Sequence, residues 1–328
     1  MTVPSISVIL PVYNGAEDVA KSIQTVLTQT FSDFELIVID DGSKDNSSEV
    51  LGEINDPRLR LYRQENIGLA ATLNRGIGLA RGRYIARQDQ DDLSMPTRFA
   101  EQFEYMEAHP DCALLGTRAE IWVGDKRSDR NHDHPTVNAA LRFELLFNNP
   151  FVHSSVMLRK DALDAVGGYS TDKTRQPPED YELWSRLARG YEVANLSERL
   201  LAYREVPASM SRTGPNPFVE KLVLLCAENL AHCVGDGVPT RDMKDIAALT
   251  HGALHLLSPS PNLKRMAAII SQAGLRCSRQ DDPACDVVDR AKQRNNSLSH
   301  QYFMYRHNAG FIRSVVRFLR QVKRKIYH

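Results

Sequence analysis

The sequence lacks the features that mark secreted, membrane-spanning and nucleic-acid-binding proteins. Its five cysteines include no Cys-x-x-Cys pair, which is ordinary for a chain kept reduced in the cytoplasm. No apolar run is long enough to span a bilayer, and the short apolar run near the N-terminus has no basic region before it and is broken by Pro11. Acidic and basic residues balance at 41 each, so no excess of positive charge favours nucleic acid. We therefore expect a globular cytoplasmic protein that does not bind nucleic acid.

Two common nucleotide-binding loops are missing as well. There is no Gly-x-x-x-x-Gly-Lys-Ser/Thr loop, which excludes the P-loop enzymes. Gly76, Gly78 and Gly82 approach a dinucleotide fingerprint, but the last interval is too long and the glycines precede a strand instead of following one. We interpret Gly82 as a helix terminator.

What the first third of the chain does contain is an alternation of strands and helices. Apolar runs predict strands at 7–13, 34–40, 59–62 and 84–86, and helical spacing of apolar residues fills the intervals. Continuous apolar strands are typical of a parallel sheet covered on both faces. The pattern therefore predicts an α/β fold with a mostly parallel sheet flanked by helices.

Three of these strands end in polar turns, at 13–15, 40–42 and 89–91. The carboxyl ends of parallel strands meet at one edge of the sheet, where open α/β sheets bind ligands. The third turn and the residue after it carry Asp89, Asp91 and Asp92, and alternate residues of an extended chain share a face. Close carboxylates repel unless a cation lies between them, and hard oxygen ligands favour Mg²⁺ or Mn²⁺ with phosphate. The same residues could equally form a solvated turn that caps the next helix.

Taken together, the segments 7–15, 36–43, 66–68 and 89–92 resemble the family 2 glycosyltransferases, which have the Rossmann-like GT-A fold. The resemblance runs from about Ser5 to about Arg204. It implies an inverting transfer of a sugar from a nucleoside-diphosphate sugar, with a uracil base as the usual case, and a divalent metal, Mn²⁺ or Mg²⁺. It also implies a glycan or lipid-linked acceptor, in cell-envelope polysaccharide synthesis.

The resemblance also assigns roles in the first half of the chain. It places the base against Asp41, makes Asp91 the direct metal ligand, and sets Asp89 near the ribose and the metal. The full set of donor-binding residues that it implies is Pro11, Val12, Tyr13, Asp41, Asn66, Gly68, Asn74, Asp89 and Gln90.

In the second half the resemblance makes Asp180 the catalytic base, which takes the proton of the acceptor hydroxyl. Its neighbour Glu179 and residues His153 and Arg204 are further candidates for the cleft. Trp184, one turn after Asp180, could stack on an acceptor sugar or pack in the core. Acidic residues that open a helix also favour its dipole, which would explain Glu179 and Asp180 without catalysis.

Beyond the region of resemblance the sequence predicts helices, and we identify no catalytic or binding motif in them. We expect a catalytic domain at 1–212, with a donor half at about 1–110 and an acceptor half at about 111–212, and a helical region at 213–328. The segment 311–327 has a basic, amphipathic pattern and could hold the protein on the inner face of the plasma membrane, or could simply dock on its own domain. Oligomers are compatible with this organisation.

Two other functions fit this sequence less well than a transferase. A sugar-nucleotide pyrophosphorylase would need a Gly-rich, basic loop after the first strand, where this chain has Asn14-Gly-Ala-Glu17. A non-catalytic nucleotide-sugar-binding protein would be expected to lack one of the two acidic pairs, and both are present.

Overall fold

The computed structural model describes residues 3–205, 218–278 and 286–326, and only the backbone of 308–326. The strands are β1 (Ile6–Val12), β2 (Phe34–Asp41), β3 (Leu59–Gln64), β4 (Tyr84–Arg87), β5 (Leu93–Ser94), β6 (Cys112–Val123), β7 (Lys126–His132), β8 (Met157–Arg159) and β9 (Glu192–Glu205). The helices are α1 (Val19–Leu27), α2 (Ser47–Gly52), α3 (Leu69–Leu79), α4 (Arg98–Ala108), α5 (Asn138–Glu144), α6 (Lys160–Ala165), α7 (Glu179–Gly190), α8 (Val219–Val234), α9 (Arg241–Thr250), α10 (Leu263–Cys277) and α11 (Val287–Ile326).

The strands form one mixed sheet in the order β3-β2-β1-β4-β8-β6-β9-β5, with β7 paired to β6. The four strands β3, β2, β1 and β4 are parallel, as their apolar runs predicted. From β4 onwards the sheet is mixed, because β8 runs antiparallel to both β4 and β6. The α/β prediction is confirmed, and its parallel character applies to the first half.

Strands β1 and β2 lie in the core with every residue buried. Helix α1 buries Val19, Ile23 and Val26 against this sheet, since these residues recur at helical spacing. This packing leaves the carboxyl ends of β1, β2 and β4 side by side, with Val12 level with Asp40.

Gly82 has a different role from the predicted one. Helix α3 already ends at Leu79, and a Cβ atom at Gly82 would lie 2.6 Å from the backbone nitrogen of Ser7. The Gly82 N–H donates to Ser7 Oγ at 2.8 Å. Gly82 therefore allows the chain to pass close to β1 before β4 begins.

The chain divides into two compact units, Met1–Lys221 and Leu222–His328. The predicted boundary at 212/213 falls in 206–217, outside the described residues, and the functional division between the regions stays a prediction. In the second unit, α9, α10 and α11 are helical as expected, and α11 continues to Ile326. The side chains of the basic segment 311–327 lie outside the description.

None of the helices in the described ranges is both long and apolar enough to cross a bilayer.

Candidate active site

Gln90 ties the loop after β1 to the loop after β4. Its Oε1 accepts from the Tyr13 N–H at 2.9 Å, and its Nε2 donates to the Tyr13 carbonyl at 3.2 Å. The amide passes so close to Gly15 that a Cβ there would lie 2.5 Å from Gln90 Oε1. Both polar atoms of Gln90 thus bind protein backbone. Pro11 and Val12 are buried in β1, and Tyr13 is the first exposed residue at this edge.

Asp41 organises the turn that contains Asn66 and Gly68. Its Oδ1 accepts from Gln64 Nε2 at 2.6 Å and from the Ile67 N–H at 3.0 Å, and its Oδ2 accepts from the Gly68 N–H at 3.0 Å. The carboxylate is buried, with 4% of the residue exposed. Oδ2 has only one of these donors, so it retains the capacity to accept a second hydrogen bond.

Residues 89–92, which we call the carboxylate turn, do not continue β4. The strand ends at Arg87, and the Asp92 N–H points back to the Asp89 carbonyl at 3.4 Å. The extended geometry expected from the sequence is therefore absent here. A turn still gathers the three carboxylates, because it folds the chain back on itself.

The three carboxylates of this turn differ in their partners. Asp89 is ion-paired with the buried guanidinium of Arg87, and Asp92 accepts from the Arg204 N–H at 2.8 Å. Among the described residues, no other residue donates a hydrogen bond to the side chain of Asp91. Asp91 is therefore the carboxylate of the turn that other residues engage least.

Their pKa values follow from these surroundings. Burial opposes ionisation of Asp89, but the charge of Arg87 prevails and lowers its pKa. Burial, together with the neighbouring charge of Asp89, raises the pKa of Asp91 to about 6. Burial and both neighbouring carboxylates also raise the pKa of Asp92. The turn holds more negative charge than its surroundings neutralise.

This donor set fits a hard divalent cation. A cation beside Asp91 would relieve the repulsion that raises its pKa, and Asp89 could supply a second oxygen ligand. Within the described part of the chain, no group of three or more His, Cys, Asp and Glu side chains is arranged to hold a metal. Further ligands would come from water or from a bound phosphate group, as is usual for Mg²⁺.

His153 lies at the start of the His153 segment, residues 153–156. Its Nε2 lies 2.8 Å from the Tyr169 hydroxyl and 3.3 Å from Arg87 Nε. Burial and the charge of Arg87 lower the pKa of His153 to about 3, so the imidazole is neutral. Its Nδ1 is 4.0 Å from Glu179 Oε1. His153 thus connects the carboxylate turn with the start of α7.

Trp184 is fully buried and lies in the core. Its ring centroid is 5.7 Å from that of His153 and 6.1 Å from that of Tyr169, both in edge-on contact. An indole that is 0% exposed cannot stack on a sugar. Of the two interpretations offered by the sequence, core packing is the one that the structure favours.

Asn74 binds protein backbone on both sides of its amide. Its Nδ2 donates to the Tyr169 carbonyl, and its Oδ1 accepts from the Tyr169 N–H, both at 2.8 Å. The close approach needs Gly168, whose added Cβ would lie 2.7 Å from Asn74 Oδ1. Asn74 joins α3 to the loop before α7, which makes it a support for the site.

The acidic pair Glu179 and Asp180 opens α7. Asp180 Oδ2 accepts from Asn149 Nδ2 and Oδ1 from the Tyr181 N–H, both at 2.7 Å. Burial raises the pKa of Asp180 to about 6, with the charge of Asp89 adding to the effect. Burial and the charge of Asp180 raise the pKa of Glu179 to about 7. A carboxylate with a pKa near neutrality is suited to take up a proton.

Arg204 is anchored in β9 and is only 5% exposed. Its guanidinium forms ion pairs with Asp18 at 2.5 Å and Asp125 at 3.0 Å, and it donates to the Asp91 carbonyl at 3.3 Å. From the sequence, Arg204 and the segment 209–212 could form a flexible loop that closes on phosphate, but in the structure Arg204 stabilises the carboxylate turn. Ser209, Ser211 and Arg212 of that segment lie outside the described residues.

Sequence reasoning missed the buried polar residues behind the site. Arg87, Gln88 and Arg98 are at most 1% exposed, and Tyr169 is 2% exposed. The one available signal was a charged residue, Arg87, closing the apolar run of β4. Charged residues are almost never fully buried unless paired, so such a residue suggests a function or a supporting network.

Residues 7–167 match the model of the family described as glycosyl transferase family 2. The O-antigen biosynthesis glycosyltransferase WbnJ of Escherichia coli is 33% identical over 207 residues, which cover 61% of this chain and 79% of WbnJ.

Two solved structures have a similar fold, each at 15% identity. The S. aureus TarS 1–349 structure in complex with UDP-GlcNAc has a TM-score of 0.60 and covers 92% of both chains. The mannosyltransferase PcManGT from Pyrobaculum calidifontis, in complex with GDP-Man and Mn²⁺, has a TM-score of 0.50 and covers 92% of this chain and 86% of that one. These similarities confirm the predicted GT-A fold class.

Proposed function

The chain belongs to glycosyl transferase family 2, and from this we propose that it is an inverting, metal-dependent enzyme that transfers a sugar from a UDP-sugar to a glycan or lipid-linked acceptor of the cell envelope. The observation that carries the proposal is one site with two acidic groups, the carboxylate turn and the Glu179–Asp180 pair, joined through Arg87 and His153. Asp89 contributes to the raised pKa of Asp180, so the two groups interact electrostatically. A donor site and an acceptor site at this proximity are what a direct transfer requires.

On the donor side, the edge formed by Tyr13 and Asp41 would bind the nucleoside. Asp41 Oδ2 can accept a hydrogen bond from an N–H of the base, and Asp41 also holds the turn of Asn66 and Gly68 beside it. The UDP-GlcNAc complex of TarS supports a UDP-sugar, and the GDP-Man complex of PcManGT makes a GDP-sugar the comparison to include.

A divalent cation would be held by Asp91, with Asp89 as a second ligand. When bound, such an ion would neutralise charge that builds up on the departing diphosphate. The Mn²⁺ in the PcManGT complex supports its use. Arg204 and Arg87 hold the two aspartates from the protein side, through the Asp91 carbonyl and the Asp89 carboxylate.

On the acceptor side, Asp180 would remove the proton of the attacking hydroxyl. That oxygen forms a bond to the anomeric carbon while the bond from this carbon to the diphosphate breaks, which inverts the configuration. The proton remains on Asp180, and the nucleoside diphosphate leaves. Asn149 and the Tyr181 N–H fix the orientation of the carboxylate for this step.

The direct test of the function is release of nucleoside diphosphate. Purified protein is incubated with a panel of UDP- and GDP-sugars, with and without Mn²⁺ or Mg²⁺, and in the presence of candidate acceptors. We expect release with UDP-sugars that depends on the metal. Full release after chelation of divalent ions would contradict the metal dependence, and no release from any donor would contradict the transferase.

Replacement of Asp41 by Ala should weaken donor binding through the base. The change removes a charged acceptor of three hydrogen bonds and loosens the 66–68 turn, so we expect a loss of about 10–100-fold in affinity for UDP. Isothermal titration with UDP, and with sugar phosphates that carry no base, measures it. Unchanged affinity for UDP would show that Asp41 does not recognise the nucleotide.

We also propose that 311–327 provides a peripheral membrane contact. The support is its basic, amphipathic sequence. Sedimentation with anionic vesicles at low salt, with the full chain and a chain lacking 311–328, is the measurement. Binding of the protein to the vesicles should require the segment 311–327 and weaken as the salt concentration rises. If the full chain stays in the supernatant, the segment is a helix that docks on its own domain.

A further inference from the structure

Arg98, on the first turn of α4, is a buried cation that forms no ion pair with any described acidic residue. Its side chain is 0% exposed. Burial and the charge of Arg87 lower its pKa to about 9, which still leaves it charged at neutral pH. A buried charge without a contacting counter-charge is costly to maintain. Its hydrogen bonds show what this guanidinium holds together.

The guanidinium donates five hydrogen bonds, all to uncharged oxygens. These acceptors are Gln102 Oε1 at 3.1 Å, Gln88 Oε1 at 3.1 Å, Ser94 Oγ at 2.9 Å, the Arg87 carbonyl at 2.8 Å and the Val156 carbonyl at 3.3 Å. The donor capacity of an arginine side chain is therefore fully used, in a geometry that only its planar fork provides.

One set of acceptors leads to the carboxylate turn. The Arg87 carbonyl lies at the end of β4, two residues before the turn begins. The amide of Gln88, oriented by Arg98, donates to the Asp92 carbonyl at 2.8 Å. Ser22 Oγ accepts from the same amide at 3.0 Å and donates to the Asp89 carbonyl at 2.7 Å. Arg98 thus stabilises the backbone of the carboxylate turn through its interior contacts.

The other set leads to the His153 segment. Arg98 binds the Val156 carbonyl directly, and Gln102, which accepts from Arg98, donates to the Ser155 carbonyl at 2.9 Å. The segment therefore ends on the same guanidinium that supports the carboxylate turn. Connected buried networks of this kind fix the relative position of their members.

We propose that Arg98 is a positioning residue that sets the carboxylate turn against the His153 segment, and so aligns the donor and acceptor sides for transfer. The inference rests on the proposed function for the reaction, although the alignment itself can be tested without it. Arg98 contacts neither Asp91 nor Asp180, so its loss should leave each side able to bind its own ligand. The rate of sugar transfer, which needs the two sides correctly aligned, should fall.

The kinetic test compares Arg98→Met with Arg159→Met. Arg159 is partly buried and also donates to backbone carbonyls, those of Met106 at 2.9 Å and Cys112 at 3.2 Å, but it lies outside the site. We expect Arg98→Met to lower kcat by about 100-fold, the cost of a small misplacement of reacting groups, with little change in donor KM or in Mn²⁺ affinity by calorimetry. Arg159→Met should lower thermal stability and leave kcat unchanged.

The spectroscopic test uses the fluorescence of Trp184. The chain has two tryptophans, so a Trp122→Phe background leaves Trp184 as the single reporter, 5.7 Å from the His153 ring. Arg98→Met should change its emission in the folded protein, and Arg159→Met should not. Arg98→Lys keeps the charge but not the planar fork, so it should recover part of kcat. It also replaces Arg98→Met in both tests if that variant does not fold.

The outcomes separate this inference from the proposed function. If Arg98→Met behaves like Arg159→Met in kcat and emission, Arg98 is merely structural. If donor KM or Mn²⁺ affinity deteriorates while kcat is kept, it acts on donor binding, and the inference is overturned. If the wild-type protein transfers no sugar, the proposed function fails, and the emission comparison still decides whether Arg98 positions the His153 segment.

Discussion

Asp180→Asn should reduce the rate of sugar transfer by about 10²–10⁴-fold, the usual contribution of a general base. The amide keeps the size of the carboxylate and can still accept from the Tyr181 N–H, but it cannot take a proton from the acceptor hydroxyl. Donor and metal binding should be nearly unchanged, because no described hydrogen bond joins Asp180 to the carboxylate turn. Single-turnover rates with saturating donor, together with titrations of UDP and Mn²⁺, measure the two parts.

The matched control is Glu179→Gln, at the neighbouring position. Glu179 lies 4.0 Å from His153 and has a pKa raised to about 7, so it is the other carboxyl that could accept the proton. We expect this variant to retain most of the transfer rate. If Glu179→Gln is inactive and Asp180→Asn remains active, the base is Glu179. If both variants transfer normally, the acidic pair only begins α7 and the base lies elsewhere.

The pH dependence of the wild-type enzyme follows from the same pair. Because burial raises the pKa of Asp180 to about 6, the base is ionised above that pH and protonated below it. Measured at saturating Mn²⁺, which favours the ionised form of Asp91, transfer should therefore decline as the pH falls through this range, and the part of the decline that is due to the base should be lost in Asp180→Asn. A rate that is flat down to pH 5 would contradict a base with this pKa.

Asp91→Asn should abolish metal-dependent turnover and leave the protein folded. The carboxylate charge, more than its shape, holds a divalent cation, so the loss of Mn²⁺ affinity should exceed the ~10–100-fold that removal of a supporting residue costs. Metal-free stability should not fall, because the substitution removes a carboxylate whose ionised form is disfavoured by burial and by Asp89. Thermal melting with and without Mn²⁺ measures both effects, since a ligand that binds only the folded state raises the melting point.

Asp89→Asn gives the contrast. Asp89 neutralises the buried Arg87, so its loss leaves an uncompensated charge that should lower stability, with or without metal. The two substitutions should therefore have different effects. Asp91→Asn should keep its folding stability but not bind Mn²⁺, whereas Asp89→Asn should be less stable. Mn²⁺-dependent activity in a folded Asp91→Asn protein would place the metal ligand elsewhere.

The parallel half of the fold was determined by the sequence alone. The strands β1, β2 and β4 contain continuous apolar runs, which are typical of strands covered on both faces and can be recognised without knowing the strands' partners. Their carboxyl ends must then meet, so Tyr13, Asp41 and the carboxylate turn could be placed at one edge before any coordinates were known. The family resemblance added roles to these positions, and those roles remain predictions.

The tertiary structure alone decided which polar groups at that edge are available. The sequence gives no sign that the side-chain amides of Gln90 and Asn74 have protein partners. In the structure, Gln90 binds the backbone of a residue 77 positions away, and Asn74 binds that of a residue 95 positions away. Trp184 shares a helix face with Asp180, yet its ring is buried against His153 and Tyr169. Local patterns carry no information about such distant partners, because a hydrogen bond or a ring contact depends on where the whole chain has placed both groups. For the same reason the role of Arg98 could not be predicted from the sequence. Its hydrogen bond to the Val156 carbonyl joins residues 58 positions apart and forms only when α4 has packed in the folded protein.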